Sequence, residues 1–289
     1  MARKRQRTAI LFLMPALILL CCFLIYPLLK TFYYSFTAWY NFSSKQNWIG
    51  LDNYTAIFKD KVIVVALKNT GILMIGVLIT QIGFAMILAI LVDSARSCFK
   101  FFRTVYFFPI VISATAIGLM FTLIYKYEYG LLNYIITLFG GEKIVWITQK
   151  SAVFLALIPV WWQYVGFYFV IFLTGIASVP TDIYESAMLD GIRPFQKAVY
   201  ITIPMLKDVL ISSIILVISG CFKVFDIVFM ITNGGPLDSS QLLSTYMYEK
   251  AFARQNGGYA SAIAVIMVVM GVLVTSVLRR ILQGGEADE

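Results

Sequence analysis

Residues 178–208 read SVPTDIYESAMLDGIRPFQKAVYITIPMLKD and lie between two long apolar runs. The stretch is too long for a plain connection and carries its own helical order. Pro180 stops the preceding run, because proline cannot donate into a helix interior. Thr181 or Asp182 is placed to cap a new helix, and Asp182 with Glu185 has capping-box spacing. Ile183, Ala187 and Met188 then share one face. Gly191 is a natural left-handed stop, and Pro194 suits the first turn of a second helix. Phe195, Ala198, Val199 and Thr202 share a face of that helix, and Pro204 is expected to end it. The reading is two short helices around a glycine turn. On the residues alone, the pair fits helices resting on lipid.

The remainder of the chain is as apolar as those flanks. Of 289 residues, 60% are hydrophobic and 13% charged, about half the charged share of soluble domains. That leaves too little polar surface to cover a soluble fold of this size. It excludes a cytosolic enzyme, a disordered regulator and a fibrous protein. Apolar runs near 9–29, 63–92, 104–125, 152–177, 209–231 and 258–282 are each long enough to cross a bilayer. The expectation is an all-α membrane protein with six transmembrane helices. Asn69, Thr70 and Gln81 turn one face of the second run into a helix bundle. Pro109 and Pro159 should kink or break their helices locally. The expected division is an N-terminal span and outer loop over 1–62, a core over 63–282 and a tail over 283–289.

Charge gives the orientation. With the N-terminus inside, the inner segments hold 12 Lys/Arg in 61 residues and the outer ones 9 in 84. That bias places both termini and the 178–208 loop in the cytoplasm. The net charge of +8 then reflects loops facing anionic lipid rather than nucleic acid. The basic start, Arg3, Lys4, Arg5 and Arg7, precedes a run ending in Phe32, Tyr33, Tyr34, Phe36, Trp39 and Tyr40. With no small-residue cleavage site, this reads as a retained first span with an aromatic belt. There is no His, which removes Ser-His and Cys-His catalysis and His-ligated metals. Cys21, Cys22, Cys98 and Cys221 lack CxxC spacing and read as small apolar packers.

Three clusters carry a resemblance. Glu185-Ser186-Ala187, Asp190-Gly191 and Ile201-Thr202-Ile203-Pro204 resemble the EAA loop of ABC-importer inner-membrane permeases. Gly191 stands six residues after Glu185, and Pro204 thirteen after Gly191, as in that pattern. The departure is Ser186, where the pattern prefers Ala. Val224-Phe225-Asp226, Thr232 to Pro236, and Tyr246 to Phe252 are similar to the carbohydrate-uptake branch, as is Gly258 to Ala262. Over residues 9–282 the chain most resembles the first of that branch's two permease subunits, in a compact form. The resemblance implies a permease in a bacterial cell membrane and a heterodimer with a second permease. It further implies two ATPase subunits and an extracellular solute-binding protein delivering a sugar. It makes Glu185, Ala187, Asp190, Gly191 and Pro204 the ATPase-coupling residues, with Glu185 the charged contact and Gly191 the required turn. No Gly precedes a Lys, so the phosphate-binding GxxxxGK[ST] loop is missing. ATP and Mg would therefore sit on the partner ATPases, and no cofactor is expected in this chain.

Sugars offer hydroxyls and apolar ring faces, so their sites pair hydrogen-bonding groups with aromatic platforms. Gln163, just after Pro159, is the candidate hydrogen-bonding group, with Trp162 or Tyr164 as platform. Lys223 and Asp226 sit at i, i+3 in the fifth run. They read either as an ion pair fixing that helix or as a cavity-lining pair. Asn233, beside Gly234, Gly235 and Pro236, reads as a turn residue. Other classes fit less well. A stand-alone carrier or channel does not need an ordered inner loop. A membrane enzyme would need paired carboxylates, a metal set or a nucleophile with its base. The solute stays open, including a non-sugar such as a phosphorylated polyol.

Overall fold

The computed structural model describes residues 2–95 and 99–283, and it is built mainly of helices. Helix α1 (Ala2–Leu20) passes through a π turn, Cys21–Ile25, into α2 (Tyr26–Tyr34). An antiparallel ribbon of β1 (Thr37–Ala38) and β2 (Asn47–Trp48) follows, then α3 (Asp52–Lys59). Helices α4 (Lys61–Val77) and α5 (Gly83–Ala95) join through a second π turn at Leu78–Ile82. Next come α6 (Phe99–Val111), α7 (Ala114–Ile124), α8 (Leu131–Leu138) and the long α9 (Ala152–Ala177). The 178–208 region holds α10 (Thr181–Leu189), α11 (Pro194–Lys197), a π turn at Ala198–Thr202 and α12 (Ile203–Met205). The chain closes with α13 (Lys207–Cys221), α14 (Asp226–Thr232), α15 (Leu243–Tyr248) and α16 (Gly257–Gln283).

Four helical stretches are long and apolar enough to cross a membrane: Phe12–Tyr34, Lys61–Ser94, Ala152–Ala177 and Gly257–Leu282. Two further pairs qualify when taken together. Lys100–Val111 with Ala114–Ile124 is bent by 91°, and Pro194–Met205 with Lys207–Cys221 by 70°. The third apolar run is therefore not a single straight helix. Helix α6 continues through Pro109, and the bend falls later, where Ser113 is extended at φ −56°, ψ 133°. The fifth run breaks at 222–225, which no proline marks. Pro159 breaks nothing. Proline removes the N–H that would bond to the Leu155 carbonyl, and the Tyr125 hydroxyl donates to that carbonyl instead at 3.1 Å. Cys221 is buried, whereas Cys21 and Cys22 are exposed rather than packed. Cys98 and the 284–289 part of the expected tail lie outside the described residues.

The chain divides into two compact units. Val64–Thr245 with the residues from Met270 onward form one of them. Its core centres on α9, whose Phe169 and Phe172 are fully buried with Val160 and Ile176 against α5 and α6. The polar face of α4 and of the π turn after it turns inward as its residue types require. The Asn69 amide donates to the Ser239 and Gln241 carbonyls at 2.8 and 2.9 Å. Thr70 Oγ1 accepts from the Leu243 N–H, and the Gln81 amide donates to the Val160 carbonyl at 3.1 Å.

The other unit joins the residues up to Ile63 with Tyr246–Val269. The Asn41 N–H donates to the Gln255 carbonyl, and the Gly258 N–H to the Trp39 carbonyl. Its polar centre is Asp60, which accepts from the Tyr246 and Tyr259 hydroxyls at 2.6 and 2.7 Å and from the Val62 N–H at 2.9 Å. Burial pushes the Asp60 carboxyl up, but these three bonds and nearby Lys250 outweigh it and hold the group below the ordinary aspartate range. A folded-state value below the unfolded one adds stability above that unfolded value, and the contribution fades as pH falls through the folded value. The purified protein should therefore lose thermal stability on acidification below about pH 4. Asp60→Asn, neutral throughout, should be less stable near neutrality and should flatten this dependence. Melting profiles of both proteins across pH check it; parallel profiles would contradict it.

Candidate functional site

The loop forms the two helices and the turn that its sequence dictates. Helix α10 ends in a Schellman arrangement: the Gly191 N–H donates to the Met188 carbonyl, and the Ile192 N–H to the Ala187 carbonyl, both at 3.1 Å. Gly191 stands at φ +74°, the left-handed region that glycine enters without strain. Pro194 opens α11, and the Arg193 N–H bonds to the Gln196 side chain at 3.0 Å. Two expectations need correction. Helix α10 already includes Thr181 and takes Pro180 as its cap, so neither Thr181 nor Asp182 caps it. Asp182 instead places its charge in the first turn, where the helix dipole favours it. Nor does Pro204 end the second helix. The helix runs on to Met205, and the chain bends at Leu206.

Among the expected coupling residues, Ala187 is buried while Glu185 and Asp190 are exposed. The most exposed large apolar side chains of the loop are Leu189 and Phe195, at 90% and 79%. A tie that sequence reading missed links the two helices. Lys197 Nζ lies 4.0 Å from the centroid of the Tyr184 ring, and the Tyr184 hydroxyl is 3.4 Å from Thr202 Oγ1. Tyr184 and Lys197 are separated by the turn, so no helical periodicity relates them. Only the folded turn brings them into cation–π contact.

The second site is a cavity of about 200 Å³. Gln81, Gln163, Tyr164, Tyr168, Lys223 and Asp226 line it, among apolar groups. Gln163 is 3% exposed. Its amide donates to the Ile112 carbonyl at 3.0 Å, at the bend between α6 and α7. Its Oε1 is buried without a hydrogen-bond partner. An unpaired buried acceptor is costly and marks a place for a donor. Tyr164 reaches the cavity but Trp162 does not; the Trp162 ring lies beside Phe121, with centroids 6.2 Å apart.

Lys223 and Asp226 also depart from helical spacing. Lys223 lies in the break, and Asp226 begins α14, where its charge faces a helix N-terminus. Both are exposed and form no ion pair with each other. The i, i+3 pairing assumed a continuous helix, which the break removes. Asn233 is the left-handed cap of α14 at φ 48°, a turn residue as read. Among the described residues, no group of three His, Cys, Asp or Glu side chains could hold a metal ion.

Residues 81–284, which hold both the loop and nearly all of this cavity lining, match the family described as binding-protein-dependent transport system inner membrane component. The chain belongs to that family. A probable ABC transporter permease, YurN of Bacillus subtilis, is 33% identical over the full length of both chains. The diacetylchitobiose uptake permease NgcF of Streptomyces coelicolor is 30% identical, covering 96% of this chain and 83% of that one. The sulfoquinovosyl glycerol transport permease SmoG of Agrobacterium fabrum is also 30% identical, covering 95% and 90%. A chain of a bacterial ABC transporter that imports alginate shares the fold, with a TM-score of 0.86, 20% identity and coverage of 97% and 96%. A second structure of an alginate transporter, in complex with an alginate pentasaccharide-bound periplasmic protein, gives 0.84 at 19% identity, covering 96% and 94%. This inner-membrane permease is a subunit of an ABC importer, a transport component and not an enzyme.

Proposed function

We propose that this permease forms half of the path for a sugar or oligosaccharide. It crosses the bacterial cell membrane six times with both termini inside, the bent α6–α7 pair counting as one span and the broken fifth run as another. Its partners are a second permease, two ATPase subunits seated on residues 178–208, and an extracellular binding protein that delivers the solute. ATP and Mg bind the ATPases. Their closure moves the loop and shifts the permeases between inward- and outward-facing states.

The observation that carries this is the shape of the loop. Leu189 and Phe195 stand uncovered beside exposed Glu185 and Asp190, while the Schellman turn and the Lys197–Tyr184 contact fix the two helices. Large apolar side chains beside charge, on a rigid support, suit a protein partner. The sugar reading draws on relatives named for diacetylchitobiose, sulfoquinovosyl glycerol and multiple-sugar transport. It also fits the cavity, where Gln163 Oε1 would accept a solute hydroxyl, Tyr164 would face a ring, and Lys223 and Asp226 would bond further hydroxyls.

Because those two charges do not pair with each other, each should act on its own. Lys223→Met and Asp226→Asn should both assemble normally and each lower uptake about 10- to 100-fold, the loss of a charged hydrogen bond. The double variant should transport no better than either single one. Complex yield and uptake, measured separately, test this. Poor single-variant yield restored in the double variant would show a structural pair instead.

A further inference from the structure

Helix α8 is turned the wrong way for water. Its one buried side chain is polar: Asn133 is 1% exposed. The Asn133 amide donates to the Tyr127 and Ile144 carbonyls at 3.0 and 2.9 Å. Its Oδ1 accepts from the Ile144 N–H and the Trp146 indole N–H at 3.1 and 3.0 Å. The opposite face presents Leu131, Tyr134, Ile135 and Leu138 at helical spacing, followed by Phe139. All are exposed, Leu138 by 64% and Phe139 by 89%. Four hydrogen bonds at Asn133 fix the roll of the helix, so the apolar stripe cannot turn inward.

We propose that α8 lies flat in the membrane–water interface and that lipid covers this stripe. Continuity with the adjoining span commits the face to lipid. Leu119, Met120 and Leu123 of α7 are exposed. Met120, Leu123 and Ile124 line one cleft of about 690 Å³ together with Leu131 and Tyr134 of α8. The apolar surface of the bent α6–α7 pair therefore runs on into the α8 stripe, in a cleft that Glu128 and Lys143 also line. The flanks are those of an interface. Lys126 lies 6.0 Å from the Tyr129 ring centroid, and Lys143 lies 5.7 Å from that of Tyr127. Lys143 also pairs with Glu128 at 3.1 Å. Helix α8 itself carries no charge, and Thr137 is turned onto its own backbone, donating to the Tyr134 carbonyl. A protein-binding face would offer hydrogen-bonding groups around an apolar centre; this stripe offers one hydroxyl, on Tyr134. The inference requires only that the chain crosses a membrane, and is independent of the solute and of the ATPase contact.

Collision measurements on spin labels test it. Tyr134→Cys, Leu138→Cys and Phe139→Cys are each made with Cys21, Cys22 and Cys98 replaced by serine, and Glu142→Cys serves as the aqueous control. The complex, purified with its co-expressed subunits, is placed in phosphatidylcholine–phosphatidylglycerol nanodiscs. Labels at 134, 138 and 139 should collide several-fold more with oxygen, which concentrates in lipid, than with a water-soluble nickel chelate. The label at 142 should show the reverse. Nickel access on the stripe equal to that at 142 overturns the proposal, because the stripe then faces water. Shielding from both reagents also overturns it, because a protein partner then covers the stripe. The three positions report separately, so a variant that fails to assemble leaves the other two to decide.

Discussion

A transporter carrying Gly191→Val is expected to assemble at normal yield and to lose at least nine-tenths of its uptake. Gly191 stands at φ +74°, and a Cβ placed there meets nothing within 4 Å. The damage is therefore conformational and local. Left-handed backbone costs an L-residue about 1–2 kcal/mol, and more for a β-branched one. The turn would relax, changing the angle between α10 and α11 while the membrane-embedded helices stay packed. Asn tolerates this region, so Gly191→Asn should keep much of the uptake. Uptake, with complex yield from the same membranes, checks both variants. Wild-type uptake in the valine variant at normal expression would sink the turn's role.

Gly166→Ala should do the opposite, removing the assembled complex rather than uncoupling it. A Cβ at Gly166 would lie 1.6 Å from the Tyr106 carbonyl oxygen and 2.3 Å from its carbon. The obstacle is the backbone of α6, which cannot rotate aside as a side chain can. Helices α6 and α9 would have to part around fully buried Phe169. Overpacking of a core costs about 1–3 kcal/mol where side chains can adjust, and a backbone collision exceeds that. Against a total stability of about 5–15 kcal/mol, most of the complex should be lost from the membrane fraction. Quantifying the subunit in membranes checks this; a normal amount of alanine variant would contradict so close a packing of the two helices.

Much of this architecture was legible because the bilayer leaves the chain few choices. Apolar runs long enough to cross correspond to helices or bent helix pairs, and Gly191, Pro194 and Asn233 could be assigned from residue type because each backbone conformation favours few residues. The breaks were harder to find. Proline marks the loss of one donor, which a neighbour can replace, as the Tyr125 hydroxyl does beside Pro159. The bend at Ser113 and the break at 222–225 depend instead on what the adjoining helices pack against, as α7 does on α14. Lys223 and Asp226 were misread as helical neighbours for that reason. The Tyr184–Lys197 contact and the unpaired Gln163 Oε1 are tertiary facts. Spacing along the chain does not encode either one.

Solute-dependent ATP hydrolysis by the purified complex tests the central claim most directly. The permease, tagged and extracted from its native membrane, should bring down an ATPase subunit in stoichiometric amount. In nanodiscs, its ATP hydrolysis should rise when the loaded binding protein is added, and Gly191→Val should remove most of that rise without removing the ATPase subunit. Recovery of the permease without any ATPase, but still catalysing solute uptake in proteoliposomes, would contradict the account and identify a stand-alone carrier.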